Sequence, residues 1–279
     1  MLSLAVAAAL VSFLAVSLPD DRLHVSFLDV GQGDAILIQK GSQQVLVDGG
    51  PSPQAVCLGL GEKMPFWDRT IELMVLSHPS ADHVAGLVEV LNRYRVEQVL
   101  YPEMDFESGV YDEWLRLVRE KGIKATLAQA GQQIDLGGGV AMEVLSPLDP
   151  PLSATDSDVD NNAAVLRLSL GEVSFLLTAD MMWEAEFELL YNRANLRSTV
   201  LKVAHHGSNT STTPEFLAVA RPELAVISMG ADNEYGHPTE EVLRRLEEEL
   251  GEENIYRTDE NGTVEFITDG ERLWVKTER

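Results

Sequence analysis

Six histidines occur in 279 residues, and four of them fall in two tight groups. One is His78-Pro79-Ser80-Ala81-Asp82-His83, and the other is Ala204-His205-His206-Gly207-Ser208. Imidazole and carboxylate donors can share a divalent cation when their atoms converge at roughly 2.0–2.2 Å from it. Each group follows an apolar run, Leu73 to Ser77 in one case and Thr199 to Val203 in the other. A turn after a strand can aim His78, Asp82 and His83 inward where a straight strand or helix would splay them apart. Gly207, directly after the histidine pair, lets the chain turn without a Cβ clash. A third apolar run ends in Leu177-Thr178-Ala179-Asp180, where a carboxylate with two oxygens can bridge two cations. Asp180 alone also fits a helix N-cap, and an isolated histidine is usually a satisfied core or surface group. Three strand ends bearing these residues in a histidine-poor chain point instead to a metal site.

The elements that must position these residues follow from periodicity. Leu23 to Asp29, Ala35 to Gln39 and Gln44 to Asp48 read as a meander of short strands. Val84, Leu87, Val88 and Leu91 recur at helical spacing directly after the strand Leu73 to Ser77. A strand from Gln98 to Tyr101 leads to a helix over Asp112 to Lys121, stopped by Gly122. The stretch Ser146 to Asn162 is rich in proline and aspartate and predicts a long loop without a regular element. Strands are expected again at Ala164 to Leu170, Val173 to Thr178, Thr199 to Ala204 and Leu224 to Met229. Helices fit Trp183 to Asn192 and Thr239 to Leu250, and two strands, Thr263 to Ile267 and Leu273 to Lys276, close the chain. Two β-then-α halves without a linker predict an α/β fold in which two sheets lie face to face with helices outside.

Composition narrows the functional classes. With 45% hydrophobic and 24% charged residues the chain is an ordinary folded protein, not a disordered or multi-span membrane one. A net charge of −24 repels any polyanion unless bound cations or a local basic patch reverse the field. Lys202, Arg221, Arg244 and Arg245 are the candidate phosphate contacts. The single cysteine, Cys57, excludes an internal disulfide or a thiolate cluster and reads as a buried structural residue. Residues 1–18 are uncharged and almost wholly apolar, the lower limit of membrane length, and predict an anchor or the end of a transmembrane helix. Residues 19–22 then form a short linker, and 23–279 the folded domain. Gly31-Gln32-Gly33 reads as a hairpin turn, because no helix pattern follows, so no nucleotide cofactor is implied.

Several motifs together carry a family resemblance. They are Phe27-Leu28-Asp29-Val30-Gly31-Gln32-Gly33-Asp34-Ala35, Val47-Asp48-Gly49-Gly50, Leu76-Ser77-His78 through Asp82-His83, Asn161-Asn162, Leu177-Thr178-Ala179-Asp180, Leu201 through Ser208, and Tyr235-Gly236-His237-Pro238. The chain resembles the metallo-β-lactamase superfamily, and within it the C-terminal domain of ComEC-type DNA-uptake channel proteins. That resemblance implies a four-layer αββα sandwich. It implies that Asp82, His83 and His206 hold one metal, that Asp180 bridges, and that His78 belongs to the other. Ser80 stands where the superfamily has a further ligand, and Asn161 and Asn162 stand where it has a separate histidine, so the second metal site is the weaker one. A donor set without thiolate suits manganese or zinc, as one or two ions. Of the adjacent pair, His206 is expected to bind metal, because Gly207 follows it, leaving His205 to contact phosphate or protonate a leaving group. His237, on a turn before a helix N-terminus, is expected to share that role. Asp34, Asn161, Asn162 and Ser208 are expected on the substrate side.

The activity implied is metal-assisted hydrolysis of a phosphodiester, with Asp82 orienting the nucleophile and DNA as the substrate during competence-related uptake. The domain would then be membrane-associated and face the outside of the cell. Two alternatives stay open: a hydrolase of a small phosphoester or lactone, for which an acidic surface is no obstacle, and a metal-poor domain that guides DNA without cutting it.

Overall fold

Short runs rich in β-branched residues and leucine form the strands of a first sheet. The computed structural model describes residues 20–279. Its first three strands, β1 (Leu23–Phe27), β2 (Ile36–Lys40) and β3 (Gln43–Val47), make the expected antiparallel meander. Then come helix α1 (Pro53–Lys63), β4 (Thr70–Val75), α2 (Ala81–Arg93), β5 (Arg95–Tyr101), α3 (Gly109–Glu120) and β6 (Lys124–Leu127). From β3 to β6 the neighbouring strands run parallel, each crossing back through a helix. The second half repeats this plan. Strands β7 (Gln133–Asp135), β8 (Ala141–Ser146), β9 (Val165–Leu170) and β10 (Val173–Leu177) pair antiparallel. Beyond them β11 (Val200–Lys202), β12 (Leu224–Ile227) and β13 (Ile255–Arg257) add in parallel. Helices α5 (Trp183–Tyr191), α6 (Pro214–Ala220) and α7 (Glu240–Leu250) separate the parallel strands, and a four-residue α4 (Asp158–Asn161) precedes β9. After a short α8 (Thr258–Asn261), the closing strands β14 (Val264–Thr268) and β15 (Leu273–Thr277) return to the first sheet beside β1.

The two sheets, of eight and seven strands, enclose one core. Phe27, Phe175 and Phe266 meet edge to face there, with Phe266 at 5.8 Å from Phe27 and 6.0 Å from Phe175 between ring centres. A second apolar layer lies between the first sheet and α1, α2 and α3, centred on the fully buried Trp114. A third lies between the second sheet and α5, α6 and α7, around Phe216, Leu217, Val242 and Leu246. Burying both faces of each sheet gives the expected four-layer αββα order.

Some expectations need correction. The stretch from Ser146 to Asn162 ends in α4, whose first turn is capped by Ser157 Oγ accepting from the Asp160 amide. Helix α1 was not expected, since Gly59 and Gly61 dilute its helical signal, and Cys57 on it is half-buried rather than buried. Strands β6, β7, β8 and β13 and helix α6 were likewise not expected. The apolar stretch of residues 1–18 lies outside the described residues, and no described helix is long and apolar enough to cross a membrane.

Candidate metal centre

In α/β sheets the carboxyl ends of parallel strands open onto a common crevice, which is where ligands bind. Here Asp48 follows β3, His78 follows β4, Asp180 follows β10 and His206 follows β11, so residues from both sheets reach the same end of the sandwich. Asp82 and His83 join them from the first turn of α2. The backbone at these strand ends is strained. Asp48, Ala179, His205 and His206 all have positive φ, between 47° and 58°, a region costly for residues with a Cβ and one that clusters at functional sites. Gly207 continues the turn at φ 84°, and a Cβ there would fall 2.5 Å from Pro238 Cβ. Gly33 lets the β1–β2 turn press against α2, since its Cβ would lie 2.1 Å from the Asp82 carbonyl oxygen.

One donor atom from each of Asp82, His83, Asp180 and His206 lies within 4.8 Å of the others, and the last three side chains are buried. His83 Nε2 and His206 Nε2 are 3.3 and 3.4 Å from Asp180 Oδ2, and Asp82 Oδ2 is 3.5 Å from His206 Nε2. Both imidazole Nε2 atoms and Asp180 Oδ1 are buried without a hydrogen-bond partner. A buried polar atom left unpaired costs about 1–3 kcal/mol, so two imidazole Nε2 atoms without partners on either side of Asp180 Oδ2 mark a place built for another group. The opposite ring nitrogens are spoken for. His83 Nδ1 donates to Asp48 Oδ2 at 2.9 Å, and His206 Nδ1 donates to the Ser228 carbonyl at 2.8 Å, which directs each Nε2 lone pair inward. The donor set, two imidazoles and two carboxylates, therefore fits a divalent cation.

The charge balance leads to the same demand. Asp34 and Asp48 lie just behind the cluster, both buried, and the one resident cation is Lys202. Its ammonium is also buried and lies 2.6 Å from Asp34 Oδ2, 2.8 Å from the Ala179 carbonyl and 3.6 Å from Asp180 Oδ1. Four carboxylates against one lysine leave a deficit of positive charge. Burial opposes protonation of His206, yet the nearby carboxylates of Asp180 and Asp82 raise its pKa to about 9. Burial likewise opposes protonation of His83, and the charges of Asp180 and Asp48 overcome it and raise its pKa well above the usual value. Burial would raise the Asp82 carboxyl, but bonding to His206 and the His83 charge hold it at about 2.

His78 stands apart from the four-donor cluster, though its ring centre is 4.1 Å from that of His83. Burial, with the neighbouring His83 charge, lowers its pKa to about 3, so it is a neutral imidazole. His205 keeps a quarter of its side chain exposed at the mouth, with Nε2 3.9 Å from Asp180 Oδ2 and Nδ1 3.2 Å from Thr210 Oγ1. The His237 ring is 5.8 Å from that of His205 and is covered on its outer side by the exposed Tyr235. Burial and the nearby His205 and His206 lower the pKa of His237. Asp82, with a third of its side chain exposed, completes the rim.

The residues expected on the substrate side take other places. Asp34 is buried against Lys202, because an unpaired ammonium could not be held there. Asn161 Oδ1 accepts from the Met182 and Ala185 amides and so caps α5, the role Asp180 was also considered for. Asn162 is held by Leu152 and by the Asp158 carbonyl, and Ser208 Oγ accepts from the Thr210 amide and hydroxyl. Nor does Lys202 reach solvent. Arg221 donates to the Ala218 carbonyl, Arg244 pairs with Glu248, and Arg245 with Glu241. Asp29 pairs with Arg279. Sequence reasoning missed the Lys202–Asp34 ion pair and Asp160, whose Oδ1 lies 3.6 Å from His78 Nε2.

Comparison with known proteins decides the family. The model of the metallo-beta-lactamase superfamily matches residues 28–231, most of the chain and every residue of the four-donor cluster. The chain belongs to the metallo-beta-lactamase superfamily. Among curated members of similar sequence, ComE operon protein 3 of Bacillus subtilis is 29% identical over 260 residues, covering 87% of this chain and 33% of its own length. Recombination protein 2 of Haemophilus influenzae is 32% identical over 226 residues, covering 80% of this chain and 26% of its own. Competence protein ComA of Neisseria gonorrhoeae is 29% identical over 260 residues, covering 93% and 34% respectively. The chain thus spans about a third or less of the length of these relatives. The crystal structure of the metallo-beta-lactamase fold protein YhfI from Bacillus subtilis superposes with a TM-score of 0.56 at 13% identity, covering 91% of this chain and 100% of that one. Igni18, a metallo hydrolase from Ignicoccus hospitalis, gives 0.54 at 13% identity, covering 87% and 98%. These two likenesses bear on the fold alone.

Proposed function

We propose that this superfamily member is a metal-dependent phosphodiester hydrolase that cuts DNA, as part of a larger membrane-associated competence protein in which it faces the outside of the cell. The observation that carries the reading is the pair of buried, unpartnered Nε2 atoms of His83 and His206, which converge with Asp180 Oδ2 and a carboxylate oxygen of Asp82. Asp82, His83, Asp180 and His206 would hold manganese or zinc. A divalent ion bound there lowers the pKa of a coordinated water toward about 7 and offsets charge that develops on the phosphoryl oxygens.

The chain's own groups have distinct tasks. Asp48 and the Ser228 carbonyl keep His83 and His206 in one tautomer, and Lys202 holds Asp180 against rotation. Asp82, at the open rim, orients the attacking oxygen. In its charged form His205 gives its Nδ1 proton's hydrogen bond to Thr210 Oγ1 and presents the Nε2 proton toward the site, where a departing alkoxide can take it. His237 supports the same position from behind His205.

The acidic surface supports a second reading, a small phosphoester as substrate. Lys202, Arg221, Arg244 and Arg245 are all committed to protein partners. The cleft of about 390 Å³ beside α4 is lined by Glu103, Asp105, Asp149 and Asp158, which a bare polyanion would avoid. End-labelled single- and double-stranded DNA incubated with manganese, wild type against Asp82→Ala, tests the proposal. Cleavage by wild type alone supports it. Equal cleavage by both contradicts it, and turnover of a chromogenic phosphodiester without DNA cleavage selects the second reading.

A further inference from the structure

A helix on the surface of a globular domain turns polar residues outward, as α7 does with Glu240, Glu241, Glu247, Glu248 and Glu249. Helix α5 does not. Of its nine residues three are exposed, and all three are aromatic: Trp183, Phe187 and Tyr191, with 42%, 43% and 84% of their surface open. At a spacing of four they share one outward stripe, each about 6 Å along the axis from the next. Trp183 meets Phe187 edge to face at 6.0 Å, and its indole Nε1 donates to Asp156 Oδ2 at 3.3 Å, so the first ring of the stripe is held in place. The stripe starts at the metal centre. Trp183 follows Asp180 closely in the chain, and its amide donates to the Thr210 carbonyl at 2.9 Å, while the Thr210 hydroxyl lies 3.2 Å from His205 Nδ1. Past Tyr191 the chain runs into Arg193 and Arg197, which are exposed and enter no ion pair among the described residues.

We infer that the outer face of α5 is a stacking rail for the bases of single-stranded DNA, continuous with the metal centre at Trp183. This rests on the reading of that centre as one that cuts DNA. Charge decides between single strand and duplex. A duplex hides its base faces and offers phosphates, which a chain of net charge −24 repels. A single strand offers its base faces, each worth about 1–3 kcal/mol against an aromatic side chain whatever the sequence. Glu184 and Glu188, half-buried neighbours of the stripe in α5, keep phosphates off the helix and so favour a strand lying with its bases inward. Arg193 and Arg197 serve the few phosphates that pass the end of α5. Binding of this kind releases few counterions, so its salt dependence is shallow.

Steady-state cleavage of a single-stranded oligothymidylate by the full chain in manganese tests this, beside cleavage of the matching duplex and turnover of bis(p-nitrophenyl) phosphate, which has no bases. Wild type is expected to show a lower KM for the single strand than for the duplex, and the reverse order overturns the inference. Phe187→Ala and Tyr191→Ala are expected to raise KM for oligothymidylate at least about fivefold each, the low end for one stacked base, with kcat and turnover of the small diester unchanged. Phe187→Tyr, which keeps a ring, is expected to match wild type, and Phe187→Leu, apolar without a stacking face, to match Phe187→Ala. Unchanged KM in both alanine variants of a protein that cuts oligothymidylate overturns the rail and leaves the DNA reading standing. Wild-type KM in Phe187→Leu does the same, and so does a dimer in sedimentation velocity that Phe187→Ala dissolves while KM stays put, which gives the stripe to a second copy of the chain. Turnover of the small diester without cleavage of any DNA overturns the reading beneath the inference, and the inference with it.

Discussion

The two flanks of the site are built differently. On the flank of His83 and His206 each imidazole is backed by a buried acceptor, Asp48 Oδ2 or the Ser228 carbonyl, and Asp180 is backed by a buried ammonium. On the flank of His78 the backing is a serine hydroxyl, and the facing carboxylate stands on a four-residue helix at the end of a proline-rich loop. The first flank comes from strand ends and the start of α2, and the second joins a strand end, His78 after β4, to the short helix α4. Rigid backing fixes donors before a cation arrives, so less ordering remains for binding to impose.

The sharpest way to break this comparison is to remove the residue that both flanks share. Asp180→Ala is expected to lower phosphodiesterase activity at least about 10³-fold, the upper end of the loss for a single preorganised electrostatic group. Activity within tenfold of wild type at saturating manganese would show that the flanks do not meet at Asp180. Next in size is Lys202→Met, which leaves Asp34 buried without its cation and is expected to destabilise the fold by about 3–5 kcal/mol in denaturant unfolding. A loss below about 1 kcal/mol would mean that the ammonium is not what holds the carboxylates together.

Much of the strong flank was legible in the sequence. His83, His206 and Asp180 each follow an apolar run whose end is easy to find, and the scarcity of histidine made the groups stand out. What supports them was not legible, because the partners lie far apart in sequence. Asp34 meets Lys202 across 202 − 34 = 168 residues, and each taken alone reads as a turn aspartate or a surface lysine. Asp160 was hidden for a different reason. It lies in a stretch whose prolines and aspartates argue for a loop, where neither a helix nor the direction of a side chain can be foreseen. Helix α1 escaped because its glycines and weak sidedness mask an amphipathic signal, although Ser52 caps it by accepting from the Ala55 amide. The two-sheet architecture was readable because both halves show the same order of apolar strands and amphipathic helices.

A smaller effect sharpens the comparison of supports. Asp48→Asn keeps the shape of the side chain but weakens the charge that orients His83 and holds Ser77, and is expected to reduce manganese affinity of the four-donor site about 10- to 100-fold. Calorimetric titration against wild type checks it, and an affinity within about twofold of wild type would contradict the role given to Asp48 in orienting His83. The smallest effect lies far from either flank and serves as a reference for charge pairing at the surface. Glu265 accepts from His24 and Lys63, and the hydrogen bond from His24, followed by the Lys63 charge, holds its carboxyl at about 2 against burial. Its pKa is below the ordinary 4.5, so its contribution is present above pH 4.5 and is lost as pH falls toward 2. His24 is shifted the other way, above 6.5, despite burial, by its bonds to Glu265 and Asp20, so its share is full below pH 6.5 and fades as pH rises past that. Glu265→Gln is expected to cost up to about 1 kcal/mol, most between these two limits, with manganese affinity unchanged. A stability loss that grows below pH 4.5 would contradict the sign of the Glu265 shift.

The most direct test of the account is crystallographic. Crystals grown with manganese chloride and measured above the manganese absorption edge are expected to show an anomalous peak among His83 Nε2, His206 Nε2, Asp82 and Asp180. A well-ordered site with no peak among the first four residues, in protein soaked at saturating manganese, would contradict the claim that they exist to hold a cation.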